Sequence, residues 1–129
     1  MILDTSALLA ILLREPEAER FALAIQSAPH VRLSVAAYLE AAIHIDRNFD
    51  EMGRAMLDSF LEEFQVKVEP VTWKQGQLAR QGFRWYGKGR HKAALNFGDC
   101  FTWALARDFR EPVLYKGNDF AHADIESAI

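Results

Sequence analysis

The chain has 129 residues, of which 50% are hydrophobic and 26% are charged, and its formal net charge is −3. This size suits one packed core, so we expect a single domain over residues 1–129 with one principal site. The only cysteine, Cys100, excludes an internal disulfide and a cysteine-rich zinc site, so any metal would be held mostly by oxygen atoms.

The first predicted element is a short buried strand over residues 1–4 that ends at Asp4. Thr5 and Ser6 follow it, and both suit the start of a helix. The apolar run is interrupted by Asp4, has no basic segment before it and ends at Arg14-Glu15, unlike a signal peptide or a membrane span. We therefore expect a cytoplasmic protein with no membrane partner.

Short apolar strands alternate with helices along the rest of the chain. The sequence Glu15-Pro16-Glu17 ends the first helix and starts a second that runs to about Ala28. The later predicted elements are a strand over 31–34, helices over 35–47 and 50–64, an edge strand over 65–69, helices over 72–86 and 99–109, and a strand over 112–115. This alternation favours an α/β sandwich with a short, mainly parallel sheet.

Three aspartates fall at the ends of strands or at the start of a helix. Asp4 ends the first strand, Asp99 starts a helix after Gly98, and Asp119 lies just beyond the last strand. Ligands of open α/β sheets bind outside the carboxyl ends of the strands, so these acids are candidates for a site. Each also has a purely structural interpretation, as a helix cap for Asp4 and Asp99 and as a turn residue for Asp119.

Glu40 is a fourth acid in an unexpected place. Its neighbours three and four positions away on the predicted helix are small or apolar, apart from His44, so we expect Glu40 to be buried. A buried carboxylate needs a cation, a donor or a shared proton. If Asp4, Glu40 and Asp99 converge, a hard divalent cation such as Mg²⁺ or Mn²⁺ relieves their repulsion most simply.

Positive charge is concentrated in one part of the chain. Residues 70–98 contain six Lys and Arg side chains and no Asp or Glu, so that segment carries +6 and the remainder of the chain −9. Such a mixture of cations and aromatic rings is typical of surfaces that pair phosphates and stack bases, although a solvated helix face is the plain alternative. The aromatic side chains of this segment include Trp73, Phe83, Trp85, Tyr86 and His91.

Carboxylates around a divalent cation suit hydrolysis of a phosphodiester, especially beside a basic strip such as residues 70–98. A phosphoaspartyl phosphatase needs a second acid two residues after the first, and Ser6 occupies that position. The hydroxyls of Thr5 and Ser6 are candidates for a contact with phosphate, and one of them is a candidate helix cap. The non-enzymatic alternative is a binding module whose affinity for nucleic acid does not depend on divalent metal.

Four motifs resemble, in their order and approximate separation, those of PIN-domain proteins of the VapC toxin type. They are "MILDTSALLAIL", "SVAAYLEAAI", "FGDCFTWALARD" and "PVLYKGNDF". The likeness covers essentially the whole chain. It implies a PIN-like three-layer α/β/α sandwich and a Mg²⁺- or Mn²⁺-dependent endoribonuclease, the toxin of a type II toxin–antitoxin pair.

The resemblance also implies residue roles and partners. Asp4 and Asp99 correspond to metal ligands, and Glu40 is the third acid of the site. The implied partners are a VapB-type antitoxin, a structured RNA such as tRNA or rRNA, and a second copy in a homodimer. A PIN-like module that binds RNA without cleaving it is the alternative.

The C-terminal motif departs from the common family pattern, in which two acids form a D-x-D-F arrangement. Here Asn118 stands close to an expected acid, and Asp119 is the candidate fourth acid of the site. The asparagine carbonyl can still accept a hydrogen bond or ligate a metal. The side chains predicted to contact RNA are Thr5, Ser6, Lys88, Arg90, His91, Lys92 and Asn118.

Overall fold

Strands and helices alternate through a computed structural model that describes all of residues 1–129. None of the helices combines the length and apolar character needed to cross a membrane. The elements in chain order are β1 (Ile2–Leu3), α1 (Thr5–Leu12), α2 (Ala18–Ser27), β2 (Arg32–Ser34), α3 (Val35–Asn48), α4 (Glu51–Glu63), β3 (Lys67–Glu69), α5 (Trp73–Tyr86), α6 (Phe97–Phe109) and β4 (Val113–Leu114).

The four strands form one sheet in the order β3-β2-β1-β4, and every pairing in it is parallel. Ile2 pairs with Arg32 on one side and with Val113 on the other. This confirms the α/β prediction, including the edge position of the strand near residue 67. Because all strands run the same way, their carboxyl ends share one edge of the sheet, and residues that follow β1, β2 and β4 meet there.

The two faces of the sheet are covered by different helices because successive side chains of a strand point in opposite directions. Leu3, Leu33 and Leu114 face a core that they share with α1, α2, α3 and α4. Ile2 and Val113 face the other way and pack against α6. The result is the three-layer α/β/α sandwich that the resemblance implied.

Helix α5 packs closely on α6 at Gly82. A Cβ at that position would lie 2.7 Å from Cε3 of Trp103, so only glycine permits this approach. Trp103 is completely buried, and its indole Nε1–H donates a hydrogen bond of 2.8 Å to the carbonyl of Ala123. Trp103 therefore joins α5, α6 and the C-terminal segment in a second core cluster.

The starts of two helices involve acids of the predicted site. Helix α6 begins at Phe97, two residues before the predicted start, because Asn96 caps it and forms a capping box with Asp99. Helix α1 begins at Thr5 and is capped by Asp4, whose side chain accepts from the backbone N–H of Ser6, so the helix-cap interpretation of Asp4 is confirmed and that of Thr5 or Ser6 was wrong. In both cases an acid already needed near the site also satisfies the first turn of a helix.

Candidate active site

The four predicted acids line one cleft of about 680 Å³ at the carboxyl edge of the sheet. Asp4 follows β1, and Glu40 projects from α3, the helix that begins directly after β2. Asp99 lies in the first turn of α6, and Asp119 lies in the loop after β4. The parallel topology therefore brings together acids that are far apart in the sequence.

Asp4 is buried, with only 5% of its surface exposed, and its carboxylate is held by three hydrogen bonds. Oδ2 accepts from the backbone N–H of Ser6 at 3.0 Å and from its hydroxyl at 2.6 Å. Oδ1 accepts from the hydroxyl of Thr102 at 2.7 Å. A carboxylate offers about four acceptor positions, so the fourth, on Oδ1, remains for a ligand.

The hydroxyls of Thr5 and Ser6 both have partners within the protein. Thr5 donates to the carbonyl of Ala37 at 3.2 Å, which joins α1 to α3. The Ser6 hydroxyl, besides donating to Asp4, accepts from the backbone N–H of Lys116 at 3.0 Å. Ser6 therefore links the ends of β1 and β4 and orients the Asp4 carboxylate.

Asp99 is the acid whose protonation the cleft alters most. Burial raises its pKa, the hydrogen bond from the backbone N–H of Asn96 opposes that rise, and the negative charges of Asp4, Asp119 and Glu40 add to it, bringing the pKa to about 7. Three carboxylates that are distant in the sequence therefore act electrostatically on Asp99. A cation in the cleft would offset the part of the rise that comes from the neighbouring negative charges.

Glu40 lies in the cleft, but the prediction that it is buried was wrong. Its side chain is exposed, and the core face of α3 consists instead of Ala37, Ala41 and Ile45. The Glu40 carboxylate rests against the backbone of α6 at Gly98, where an added Cβ would overlap Oε2 and lie 3.1 Å from Cδ. Gly98 thus makes room for Glu40 beside Asp99.

The two neighbours in the C-terminal motif have different positions. Asp119 is exposed and lines the cleft, whereas Asn118 is exposed and is not among the lining residues. The carbonyl of Asn118 accepts the backbone N–H of Ala121 within the turn. The structure therefore favours Asp119 as the fourth acid.

The donor set of the cleft fits a hard divalent cation. None of the four carboxylates forms a salt bridge, although most other partly buried acids of the chain do. No three acidic, histidine or cysteine side chains lie close enough together to hold one metal ion in this conformation. Glu40 and Asp119 are exposed and have the freedom to move toward Asp4 and Asp99. Carboxylate oxygens are the ligands that Mg²⁺ and Mn²⁺ prefer.

Comparison with known proteins identifies the family. The PIN domain family model matches residues 1–126. Ribonuclease VapC30 of Mycobacterium tuberculosis is 49% identical over 126 residues, which make up 97% of this chain and 95% of that protein. The chain belongs to the PIN-domain family of VapC ribonucleases.

Solved structures of other PIN-domain toxins have the same fold. The sarcin-ricin loop cleaving toxin VapC20 of Mycobacterium tuberculosis superposes with a TM-score of 0.73 at 22% identity, covering 96% of this chain and 95% of that one. A toxin–antitoxin complex from Klebsiella pneumoniae gives a TM-score of 0.71 at 14% identity, covering 95% of this chain and 92% of that one. These matches confirm the PIN-like sandwich.

Several residues of the PIN cleft were missed from the sequence. Thr102 lies three residues after Asp99 and so shares a face of α6 with it, a spacing that signals a position in the site. Arg47 and Asn48 lie two turns after Glu40 on α3 and also line the cleft. Asn96 lines it too and caps the helix that carries Asp99.

The basic strip of this PIN domain lies outside the acidic cleft. Lys88, Arg90 and Lys92 are exposed, and none of them lines the cleft. The guanidinium of Arg90 lies 5.7 Å from the ring centre of Phe83. His91 is half-buried, and its Nδ1 accepts the backbone N–H of Ala93 at 3.1 Å, so it stabilises its own loop.

The raised pKa of Asp99 makes the stability of the metal-free protein depend on pH. Between the ordinary value of 3.8 and the folded value of about 7, the folded protein keeps a proton that the unfolded chain has released. Stability from this group therefore falls as pH rises through that window, and the loss is complete above it. In EDTA, we expect the thermal midpoint of wild type to fall more steeply from about pH 5 to about pH 8 than that of Asp99→Asn. Parallel slopes would show that burial and repulsion do not raise the pKa of Asp99 in the folded protein.

Proposed function

We propose that this chain is a Mg²⁺- or Mn²⁺-dependent endoribonuclease that acts in the cytoplasm as the toxin of a type II toxin–antitoxin pair. Its substrate would be a structured RNA such as tRNA or rRNA, and the reaction is hydrolysis of a phosphodiester bond. The observation that carries the proposal is the cleft in which Asp4, Glu40, Asp99 and Asp119 meet without cationic partners. The high identity to VapC ribonucleases supports cleavage of RNA as the reaction.

Asp4, Asp99 and Glu40 would hold the divalent cation, with Asp119 beside them. When bound, such a cation supplies charge neutralisation at the phosphate and activation of the attacking water. Ser6 and Thr102 already orient the Asp4 carboxylate, so little further ordering of that group is needed when the cation binds. Thr102 and Ser6 are positioning residues because they act through Asp4.

Two helix N-termini also face the cleft. Asp4 is the N-cap of α1, and Asn96 and Asp99 form the capping box of α6. The positive ends of both helix dipoles favour negative charge, whether of the carboxylates or of a bound phosphate. Arg47, on the rim of the same cleft, can pair with a flanking phosphate.

Membership of the VapC family supports a proposal for the partners. A VapB-type antitoxin would silence the protein by placing an Arg or Lys beside Asp4, Glu40 and Asp99, where it replaces the cation's charge and blocks the RNA. A toxin–antitoxin complex is among the structures with this fold. The toxin itself would act as a homodimer.

The decisive experiment is incubation of purified protein with total cellular RNA in Mg²⁺, in Mn²⁺ and in EDTA. We expect discrete products with either metal and none in EDTA. Sequencing the new RNA ends would then identify the substrate and the bond that is cut. RNA binding that persists in EDTA, with no products under any metal, would contradict the nuclease and favour the non-catalytic binding module.

Replacing Gly98 with alanine tests whether Glu40 serves the cleft. The new methyl overlaps Oε2 of Glu40, and that flexible carboxylate must move away from Asp99. The helix itself favours alanine over glycine by about 1 kcal/mol, so the fold should not suffer. We expect Gly98→Ala to keep its thermal midpoint while Mn²⁺ affinity and RNA cleavage each fall about 10-fold or more. Calorimetry and initial rates measure the two losses.

Glu40→Ala provides the matched background for this test. If the methyl acts only by displacing Glu40, then adding Gly98→Ala to Glu40→Ala changes neither Mn²⁺ affinity nor cleavage further. A further loss in the double variant would show that the methyl disturbs Asp99 or the end of α6 instead.

A further inference from the structure

An apolar pocket of about 400 Å³ opens between α5 and α6, separate from the acidic cleft. Its volume lies within the range of small-molecule sites. Phe97 and Phe101 form one wall, with their ring centres 4.9 Å apart in an edge-to-face arrangement. Phe83 and Arg80 of α5 form the opposite wall, and the buried Cys100, near the N-terminus of α6, also lines the pocket.

Phe97 is the most exposed large hydrophobic side chain in the chain, with 81% of its surface accessible. Exposed aromatic side chains beside a formed apolar pocket are characteristic of binding surfaces, because contact of a phenylalanine ring with water is unfavourable. The half-exposed Phe83 continues the same surface and lies beneath the guanidinium of Arg90.

Two cations at this pocket favour a polyanion as its occupant, since Arg80 lines it and Arg90 lies over the ring of Phe83. Of the six cations in residues 70–98, only Lys74 forms a salt bridge, with Asp108. The other five, which surround the aromatic side chains in sequence and lie exposed, have no acidic partner: Arg80, Arg84, Lys88, Arg90 and Lys92. Unpaired cations interleaved with aromatic rings are the combination that binds the backbone and stacks the bases of single-stranded nucleic acid.

A second copy of the chain is the less suitable occupant. A two-fold symmetric contact across this face would place the same patch of each copy against the other. Arg80 and its unpaired neighbours would then meet identical cations, and juxtaposed like charges weaken association. RNA supplies the negative charge that this surface lacks.

We propose that the pocket formed by Arg80, Phe83, Phe97 and Phe101 binds an unpaired base of the RNA substrate. Phe97 and Asp99 lie two residues apart and so project from nearly opposite sides of the first turn of α6. The pocket therefore opens about one helix diameter, roughly 10 Å, from the acidic cleft. A base a few nucleotides from the phosphate in the cleft can enter it.

This proposal rests on RNA being the substrate and specifies its form. Apart from Arg80, the lining offers no polar side chain that reads a base edge, so stacking rather than sequence governs the pocket. A base within a duplex is already stacked and paired, and cannot enter. The preferred substrate is therefore RNA with an unpaired, extruded base close to the bond that is cut.

The test is RNA binding in EDTA, where cleavage does not interfere. A labelled single-stranded RNA of about 12 nucleotides is titrated with wild type, Phe97→Ala and Phe97→Trp, and fluorescence anisotropy gives the affinity. Met52→Ala, which removes another highly exposed apolar side chain from a distant helix, is the matched control. We expect Phe97→Ala to weaken binding about 5- to 100-fold, Phe97→Trp to restore it, and Met52→Ala to leave it unchanged.

A series of RNAs with one abasic position each makes the test specific. One abasic position should weaken wild-type binding to a similar extent and abolish any further effect of Phe97→Ala, because both changes remove the same stack. Equal affinity of Phe97→Ala and wild type for every RNA would overturn the pocket. So would a Phe97→Ala variant that changes the oligomeric state in sedimentation but keeps its RNA affinity, since the face would then join two copies.

The same measurements separate this proposal from the proposed function. Wild type that binds RNA through Phe97 but cleaves nothing with Mg²⁺ or Mn²⁺ would remove the nuclease and leave the base pocket. Metal-dependent cleavage in which Phe97 contributes neither to RNA binding nor to the choice of the bonds that are cut would support the nuclease and remove the base pocket.

Discussion

Asp4→Asn and Asp99→Asn should each abolish metal-dependent RNA cleavage while leaving the fold intact. Both changes remove a negative charge and keep an amide oxygen that can accept the hydrogen bonds seen from Ser6 and Asn96. Residues that only support a metal ligand cost about 10- to 100-fold when replaced, so loss of a ligand should cost about 100-fold or more. Initial rates of cleavage and calorimetric titration with Mn²⁺ measure the two effects.

Asp58→Asn is the matched control for both variants. Asp58 lies exposed on α4, away from the cleft, and forms no salt bridge or side-chain hydrogen bond. The same chemical change there should leave cleavage, metal affinity and stability at wild-type values. Cleavage by either cleft variant at the wild-type rate would point to a contaminating nuclease or to a different site.

The two cleft variants should differ from each other in stability. Burial and, after it, the neighbouring acids disfavour the charged form of Asp99, so Asp99→Asn should raise the thermal midpoint of the metal-free protein above about pH 7. Asp4 instead accepts three internal hydrogen bonds, so its replacement offers less relief. A variant that gains stability and loses activity would identify Asp99 as a residue kept for function.

Trp103→Ala should destabilise the protein by about 3–5 kcal/mol, the usual cost of removing a large buried aromatic side chain. Trp103 is fully buried, fits against Gly82 of α5 and donates its indole N–H to Ala123. Its loss leaves a cavity between α5 and α6 and an unpaired carbonyl. Urea unfolding measured by circular dichroism should show the loss, with a thermal midpoint lower by roughly 10–20 °C.

Trp73→Ala controls for the removal of a tryptophan as such. Trp73 is 80% exposed at the start of α5, and surface substitutions of this kind usually change stability by about 0.5 kcal/mol or less. A similar loss of stability in both variants would mean that α5 as a whole, rather than the Trp103 contact, stabilises the domain. A small effect of Trp103→Ala would contradict the close packing at Gly82.

Local features of the sequence predicted the order of elements and most of the site. Apolar runs, capping residues and proline breaks act over a few residues, so strands and helices could be located within about two positions. Asp4 and Asp119 could be assigned to one edge because parallel strands present their carboxyl ends together, and the family resemblance added Asp99. The acids therefore followed from topology together with the family motifs.

The features that were wrong or missed all depend on how distant segments pack. Glu40 was expected in the core because its helix neighbours are small and apolar, but α3 turns a different face to the sheet and leaves Glu40 in the cleft. Thr102 reaches Asp4 across 98 positions of sequence, and Phe97 lines a pocket with side chains of α5, the helix that packs on Trp103 at Gly82.

The sequence by itself therefore determined the strand–helix alternation, the family and the acids that meet at the sheet edge, since each of these is set by local pattern or by parallel topology. Only the tertiary structure decided which face of α3 meets solvent, what holds Asp4 in place and where the aromatic pocket opens. The physical reason is that these properties arise from side chains packing across separate helices, and local periodicity does not specify the rotation and depth of one helix against another.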